Sequence, residues 1–205
     1  MTVSHVEVLV EEPSAEAALR LLLPKMLGAA TFQVHAHTCK DALLKRLPQL
    51  LQGYARWLPD NYRIVVVVDR DDDDCIKLKQ RLESMAAEAG LATKSKPKRN
   101  RFAVVNRLVI EELEAWYFGD WVAVQRAYPK VNRDIPSQAK YRAPDEIKGG
   151  TWEAFERIMK ASGYFKTGLR KLEVARAVAE HMDPSRNASP SFCALRDALM
   201  GMLAA

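Results

Sequence analysis

The sequence predicts an α/β fold, in which a mostly parallel β-sheet is flanked by helices and followed by a helical C-terminal extension. Three observations predict it. Strand-like and helix-like stretches alternate through the first half of the 205 residues. The run at residues 63–69 is β-branched and almost unbroken, which is typical of a parallel strand that helices cover on both faces. After residue 106 the pattern is mainly helical.

The first half of the chain is predicted to alternate strand and helix. Four strands are predicted from short runs of alternating or β-branched residues: 5–11, 31–38, 63–69 and 101–106. Helices are predicted between them: 15–26, 41–57 and 73–89. Pro48 lies inside the second of these helices, and we expect it to bend or split that helix. We expect Asp72 or Asp73 to cap the third.

The second half is predicted to be helical, with one long irregular connection. The predicted helices are 108–118, 121–128, 151–162, 169–181 and 191–203. Residues 129–150 are rich in proline, glycine and charge, and they predict an ordered surface loop. We therefore divide the chain into an α/β domain, residues 1–120, and a helical extension packed on it, residues 121–205.

Composition and charge narrow the class of protein. The hydrophobic fraction of 48% and the charged fraction of 28% are ordinary for a soluble domain. No apolar run is long enough to cross a bilayer, and residues 1–10 do not resemble a secretory leader. The sequence therefore predicts a cytoplasmic protein without a membrane partner.

Basic residues concentrate in one short segment of a chain whose net charge is +5. The segment includes Lys96, Lys98, Arg99 and Arg101, and the acidic run 69–74 precedes it in the sequence. A basic segment beside an acidic metal site would suit a polyanionic substrate, so we predict that these four side chains bind nucleic acid. A solvated loop that aids solubility remains an equal alternative.

Carboxylates follow two of the predicted strands. Glu11 closes the first strand, Asp69 closes the third, and Asp71 stands in the loop that follows. Ligands of an open parallel sheet bind where the carboxyl ends of its strands meet, so we expect these groups to lie together. Crowded carboxylates repel unless a proton or a cation intervenes. The sequence therefore predicts a site for a hard divalent cation, Mg²⁺ or Mn²⁺.

One further acid lies at the margin of an apolar stripe. Within the predicted helix 108–118, Ile110, Leu113 and Tyr117 recur at helical spacing, and Glu114 stands at the edge of that stripe. Glu114 is therefore a candidate ligand of a metal ion or a supporting residue beside it. A salt-bridged surface acid is the alternative. Trp116 and Trp121 are expected to belong to the core.

Three stretches of the chain resemble Toprim proteins. Residues 9–14 (LVEEPS), with Glu16 beyond them, resemble the first Toprim motif, and residues 65–71 (VVVVDRD) resemble its Asp-x-Asp motif. Residues 107–120 (RLVIEELEAWYFGD) resemble a small stand-alone Toprim-like family of unknown function that is related to the nuclease domains of OLD-type proteins. Two departures stand out. Glu12 occupies a place where glycine is common, and Glu16 comes one residue late.

The resemblance implies a Toprim-like sheet and an Mg²⁺-dependent nuclease or a related phosphodiester-processing enzyme. By matching position, Glu11 would be the general acid or base, and Asp69 and Asp71 would hold Mg²⁺. Glu16 is the closest candidate ligand for a second ion. Related nucleases act with ABC-type or OLD-type ATPases, frequently in defence against phage. The implied partners are therefore nucleic acid, DNA in preference to RNA, and a separate ATPase; a homodimer is also compatible with the sequence.

Two other functions remain open. A non-catalytic Toprim-like adaptor would use the acids structurally and bind a partner ATPase or nucleic acid, and the two departures favour it. A phosphatase of the haloacid-dehalogenase kind also has a strand-end Asp-x-Asp. That motif normally follows the first strand, whereas here a complete β-α-β-α unit precedes it.

Overall fold

Four parallel strands form one sheet in the computed structural model, which describes residues 2–203. The strands are β1 (His5–Val10), β2 (Thr31–Ala36), β3 (Tyr62–Asp69) and β4 (Val104–Val109). Their order in the sheet is β2-β1-β3-β4, and every neighbouring pair is parallel. The predicted α/β class with a parallel sheet and flanking helices is confirmed.

Helices connect the strands and form the second half of the chain. They are α1 (Pro13–Leu22), α2 (Pro24–Leu27), α3 (Lys40–Trp57), α4 (Cys75–Glu88), α5 (Glu114–Gly119), α6 (Trp121–Ala127), α7 (Thr151–Ala161), α8 (Lys171–His181) and α9 (Pro190–Leu203). Three short 3-10 turns occupy the connection between α6 and α7. Within residues 2–203, no helix is both long enough and apolar enough to cross a membrane.

The sheet is covered on both faces, as the unbroken apolar run of β3 predicts. Ile64, Val66 and Val68 face one side and pack with buried residues of α3 and α4. Val65 and Val67 face the other side and share a core with α1 and the C-terminal helices. Because side chains alternate along a strand, a strand that is covered on both faces must be apolar at every position.

The C-terminal helices belong to the same core as the first helix. α8 packs against α1, and the buried residues of α5 to α9 join the cluster that covers one face of the sheet. Lys25 links α2 to the end of α8 by hydrogen bonds. Its Nζ donates to the carbonyls of Ala179, Glu180 and Met182, at 3.0, 2.9 and 2.8 Å. These carbonyls lie at the end of α8, where a cation satisfies free backbone acceptors.

The fourth strand and the helix after it differ from the prediction. The strand is Val104–Val109 rather than 101–106, and the helix that was predicted at 108–118 begins only at Glu114. The ladder between β3 and β4 extends to the pair Asp69 and Val109, so the backbone of Leu108 and Val109 is held extended. Pairing with a neighbouring strand therefore overrides the helical periodicity of this stretch.

Three helix details also differ from the prediction. The cap of α4 is Asp74 rather than Asp72 or Asp73, and its carboxylate accepts two backbone N–H bonds of 2.9 Å. Helix α3 continues through Pro48 without a split. The predicted helix 15–26 is instead two helices, because Pro24 starts a second one in the first-turn position that tolerates proline.

Candidate functional site

Strand ends bring acidic residues together at one edge of the sheet. β1 and β3 are neighbours, although the chain leaves β1 toward β2 on one side and β3 toward β4 on the other. Such a change in direction opens a crevice at the carboxyl ends of the strands. Glu11 follows β1 directly, and Asp69 is the last residue of β3. Both predicted residues therefore flank the crevice.

The two side chains are buried and linked through the backbone. Glu11 and Asp69 are 8% and 6% exposed. The amide of Asp69 donates a 3.1 Å hydrogen bond to Oε2 of Glu11, which fixes one carboxylate at the end of the neighbouring strand. Apolar residues would serve the fold equally well at these buried strand ends. The two acids are therefore candidates for a functional role.

Two further glutamates complete a group that we call the acidic edge: Glu11, Glu12, Asp69 and Glu114. Glu114 begins α5 and is 3% exposed. Burial raises the pKa of Asp69, and the charges of Glu11, Glu12 and Glu114 add to the rise. Sequence reasoning treated Glu12 as a departure from the Toprim motif, whereas the structure places it among these acids.

Burial raises the pKa of the acids at this edge. Loss of solvent raises the pKa of Glu11 to about 7, and the charge of Asp71 adds to the rise. Burial likewise raises the pKa of Glu114 to about 7, although the ammonium of Lys171 opposes it. Burial and then the charge of Glu11 hold the pKa of Asp69 well above its ordinary value. Glu11 and Glu114 therefore remain partly protonated near neutral pH unless a cation replaces the protons.

Raising the pH from about 5 to about 8 is expected to lower the stability of the metal-free protein. The pKa of Glu114 is about 7 in the folded protein, and its ordinary value is 4.5. Between pH 4.5 and pH 7 the folded protein therefore binds more protons at this group than the unfolded chain does. Its stabilising effect is complete below about pH 4.5 and is lost as the pH rises through about 7. For Glu114 the loss is roughly 3 kcal/mol, at about 1.4 kcal/mol per pKa unit.

Urea unfolding in EDTA at several pH values measures this loss. Glu114→Gln should flatten the dependence and should be more stable than the wild type at pH 8. Glu146→Gln is the matched control, because Glu146 is exposed in a 3-10 turn and its variant should follow the wild type. Identical slopes for the wild type and Glu114→Gln would contradict the expectation.

One aromatic hydroxyl beside the acidic edge lacks a partner. Tyr117 is 1% exposed, and among residues 2–203 its buried hydroxyl has no hydrogen-bond partner. Burial raises the pKa of Tyr117 far above its ordinary value, and the charges of Glu114, Glu12 and Asp69 add to the rise. A buried hydroxyl without a partner is uncommon in native proteins, so a bound water or ligand at the acidic edge would satisfy it.

Two lysines outside the predicted set of site residues supply positive charge. Nζ of Lys171, the first residue of α8, lies 4.0 Å from Oε2 of Glu12. Burial disfavours its charged form, but Glu114 and the neighbouring acids outweigh burial and raise its pKa. Lys40, at the start of α3, lies on the other side, where it contacts Asp71 at 2.6 Å.

Two of the predicted metal ligands face other partners. Asp71 adopts a left-handed backbone conformation, with φ of 47°, and pairs with Lys40 instead of joining Asp69. Glu16 pairs with Arg20 one helical turn later, at 2.8 Å. The acidic edge therefore contains Glu11, Asp69 and Glu114 from the predicted set together with Glu12, while Asp71 stays near enough for its charge to raise the pKa of Glu11 and Asp69.

The basic segment lies at the opposite end of the sheet. Lys96, Lys98, Arg99 and Arg101 are exposed and precede β4, whereas the acidic edge follows the ends of the strands. Lys98 and Arg101 face each other in a small antiparallel turn. β4 has six residues, which span roughly 20 Å at about 3.3 Å per residue. The expectation that base lies beside the acidic site is therefore wrong in this fold.

The chemistry of the acidic edge fits a hard divalent cation. Its oxygen donors are carboxylates, the ligands that Mg²⁺ and Mn²⁺ prefer. Burying several carboxylates together costs free energy, and a bound cation would offset that cost. The unpartnered hydroxyl of Tyr117 is a further sign of an incomplete site. In the described range 2–203, however, no three His, Cys, Asp or Glu side chains are already arranged to hold a metal ion. The side chains would therefore have to turn toward the ion.

Comparison with known proteins identifies a family but no characterised relative. A family model described as a domain of unknown function, DUF4276, matches residues 10–200. No curated protein and no solved structure matches the chain. The matched range includes the whole acidic edge and both lysines beside it.

Proposed function

Because the chain belongs to the DUF4276 family, whose function is unknown, we propose a function from the chemistry of the acidic edge itself. The protein is a Toprim-like, Mg²⁺-dependent enzyme that cleaves phosphodiester bonds, as a nuclease or a related phosphodiester-processing enzyme. Mn²⁺ would replace Mg²⁺. The reaction takes place at the crevice between β1 and β3.

One observation carries this proposal. Glu11 and Asp69 stand at two neighbouring strand ends, Glu114 begins α5, and all three are buried with raised pKa values, about 7 for Glu11 and Glu114. Such a group is costly in the absence of a ligand, and strongly perturbed acids in a crevice are typical of catalytic sites. The resemblance of the strand-end Glu and the Asp-x-Asp to Toprim motifs supports the same assignment.

The residues divide into two roles. Asp69 and Glu114, the most deeply buried members of the acidic edge, would hold the cation with Glu12 beside them. A bound Mg²⁺ would polarise a phosphoryl oxygen and lower the pKa of a bound water. Glu11 would accept the proton of the attacking water, because a pKa near 7 suits a general base at neutral pH. The water oxygen bonds to phosphorus, the bond to the leaving oxygen breaks, and Lys171 stabilises the negative charge that develops.

A groove beside the site supplies a path for a polyanionic substrate. It has a volume of about 1010 Å³, begins at Pro13 and runs between α1 and α8. Three arginines and three glutamates line it, and Leu21 and Leu172 form its apolar walls; the charged residues are Arg20, Arg170, Arg176, Glu16, Glu173 and Glu180. Phosphates of a nucleic acid strand would have to replace Glu16 on Arg20 and Glu173 on Arg170, and a substrate that reached across the sheet would also contact the basic segment.

The cellular setting follows from the same resemblance. The proposed substrate is nucleic acid, DNA in preference to RNA, and the proposed location is the cytoplasm. A separate ABC-type or OLD-type ATPase would control the enzyme, in an anti-phage defence system, and a homodimer would bring two acidic edges to one substrate. None of the described helices is long and apolar enough to cross a membrane.

A second candidate is a Toprim-like adaptor without catalytic activity. The observation that favours it is the arrangement of the acids, since no three within residues 2–203 already form a metal-ready group. In an adaptor the protons on Glu11 and Glu114 would persist, and the groove between α1 and α8 would bind the partner ATPase or nucleic acid.

Cation binding and strand cleavage together test the proposal. Titration calorimetry with MgCl₂ and MnCl₂ should detect binding to the wild type, and plasmid, single-stranded DNA and RNA substrates should reveal cleavage on the same samples. Asp69→Asn should abolish both. Asp72→Asn is the matched control, because it removes one negative charge from an exposed residue of the same loop and should change neither.

The outcomes separate the two candidates. Absence of cation binding to the wild type would overturn the metal site and leave the adaptor as the better account. Binding that Asp69→Asn and Asp72→Asn weaken equally would remove Asp69 from the site. Binding without cleavage would direct the search to the ATPase that the enzyme requires.

A further inference from the structure

Lys40 carries its ammonium group into a cage of oxygen atoms beside the acidic edge. Nζ lies 2.6 Å from Oδ2 of Asp71 and 2.9 Å from Oδ2 of Asp73. It also donates to the backbone carbonyls of Asp69 and Arg70, each at 3.1 Å. The side chain of Lys40 is 16% exposed. We call these four oxygens and the ammonium the Lys40 cage.

The cage is built from the type of oxygen that a divalent cation takes. Carboxylates and backbone carbonyls are hard donors, and a cation held by two of each would be well satisfied. The loop is also held in place, because Asp71 adopts a left-handed conformation and its amide donates to the carbonyl of Glu111 at 3.2 Å. The oxygens are thus directed at a position that the ammonium already occupies.

The cage divides the Asp-x-Asp motif between two environments. The side chain of Asp69 belongs to the acidic edge with Glu11 and Glu114, whereas that of Asp71 belongs to the Lys40 cage. Among residues 2–203 the acidic edge has no comparable internal cation, since Nζ of Lys171 approaches it only to 4.0 Å, at Glu12. The buried, unpartnered hydroxyl of Tyr117 also lies on the side of Asp69 and Glu114.

We propose that the site takes one divalent cation, held by the acidic edge, and that the ammonium of Lys40 permanently fills the position of a second. The proposal rests on the proposed function. Two-metal phosphoryl-transfer sites hold their ions about 4 Å apart, so that both oxygens of the displacement are stabilised. Here the Lys40 side chain supplies the second positive charge. Unlike a second metal ion, it does not have to bind from solution, and it cannot generate a hydroxide nucleophile.

Counting bound Mn²⁺ tests the proposal. The loss of the electron paramagnetic resonance signal of free Mn²⁺ during titration gives the number of ions bound per chain. The wild type should bind one, and Lys40→Met, which keeps the length of the side chain but removes its charge, should bind two. Lys40→Arg should bind one. Lys79→Met is the matched control, because Lys79 also contacts a carboxylate and a backbone carbonyl but lies on α4, and it should bind one.

The other counts overturn the proposal in distinguishable ways. Two ions in the wild type, or one in both the wild type and Lys40→Met, would overturn the role of Lys40 and leave the metal-dependent function standing. No bound ion in either would overturn the proposed function and the role of Lys40 with it. No ion in the wild type but one in Lys40→Met would show that Lys40 blocks the sole site, against the proposal.

A second variant keeps the test independent of the folding of Lys40→Met. The double variant Asp71→Asn/Asp73→Asn retains Lys40 but removes the carboxylates of the cage. It should still bind one Mn²⁺, with a dissociation constant within about threefold of the wild type, since a factor of three corresponds to less than 1 kcal/mol. Loss of the bound ion in this variant would assign the metal to the cage and overturn the proposal.

Discussion

Glu11→Gln is expected to lower the rate of phosphodiester cleavage by a factor of about 10² to 10⁴, the usual contribution of a general base. The amide of glutamine keeps an oxygen that can accept the hydrogen bond from the Asp69 backbone, so the fold of the crevice should persist. Glutamine cannot take a proton from water at neutral pH. Single-turnover cleavage at saturating Mg²⁺ measures the effect.

The affinity for Mn²⁺ separates a base from a metal ligand in this experiment. Glu11→Gln should leave the dissociation constant for Mn²⁺ within about threefold of the wild type, whereas a metal ligand would lose most of its affinity. Asp72→Asn again serves as the control for loss of one charge in the adjoining loop. A variant Glu11→Gln that cleaves at the wild-type rate would remove Glu11 from the reaction.

Gly119→Ala is expected to destabilise the protein by about 3 kcal/mol or more, because the site has no room for a methyl group. Gly119 ends α5, and a Cβ atom there would lie 2.7 Å from the backbone nitrogen of Ser189 and closer still to the side chain of Asn187. That segment cannot move freely. The amide of Ala188 donates to the carbonyl of Gly119 at 2.8 Å, and Asn187 donates to the carbonyl of Trp116 at 2.8 Å.

Gly53→Ala is the matched substitution within a helix. Gly53 lies in α3, and a Cβ atom there would meet nothing within 4 Å, so alanine should stabilise the protein by about 0.5–1 kcal/mol through its better helix propensity. Urea unfolding of both variants measures the two changes. Equal effects of the two substitutions would show that α5 is not packed closely against residues 187–189.

The sequence was sufficient for the parts of the site that lie on single strands. The β-branched run of β3 predicted a strand covered on both faces, and its last residue, Asp69, lies at the crevice. Glu11 was found for the same reason, because it follows a short alternating strand. Both predictions depend on local patterns, which hold wherever a strand is paired along its whole length.

The remaining parts depend on contacts that no local pattern reports. Asp71 turns toward Lys40 because its backbone is left-handed, a conformation that the identity of an aspartate permits but does not require. Lys171 reaches the acidic edge only because α8 packs on α1. The basic segment was assigned to the wrong end of the sheet, because the two segments are close in sequence but α4 lies between them and returns the chain to the end at which β4 begins.

The hydrogen bonds between Lys25 and the end of α8 can form only late in synthesis, after the early helices have left the ribosome. Ala179 is 154 positions beyond Lys25, so the early helices leave the ribosome long before the helix that covers them. At roughly 5–20 residues per second the interval is about 8–30 s. During that time the part of α1 that α8 covers has no partner of its own chain, so a nascent-chain chaperone that binds apolar segments would find its target there.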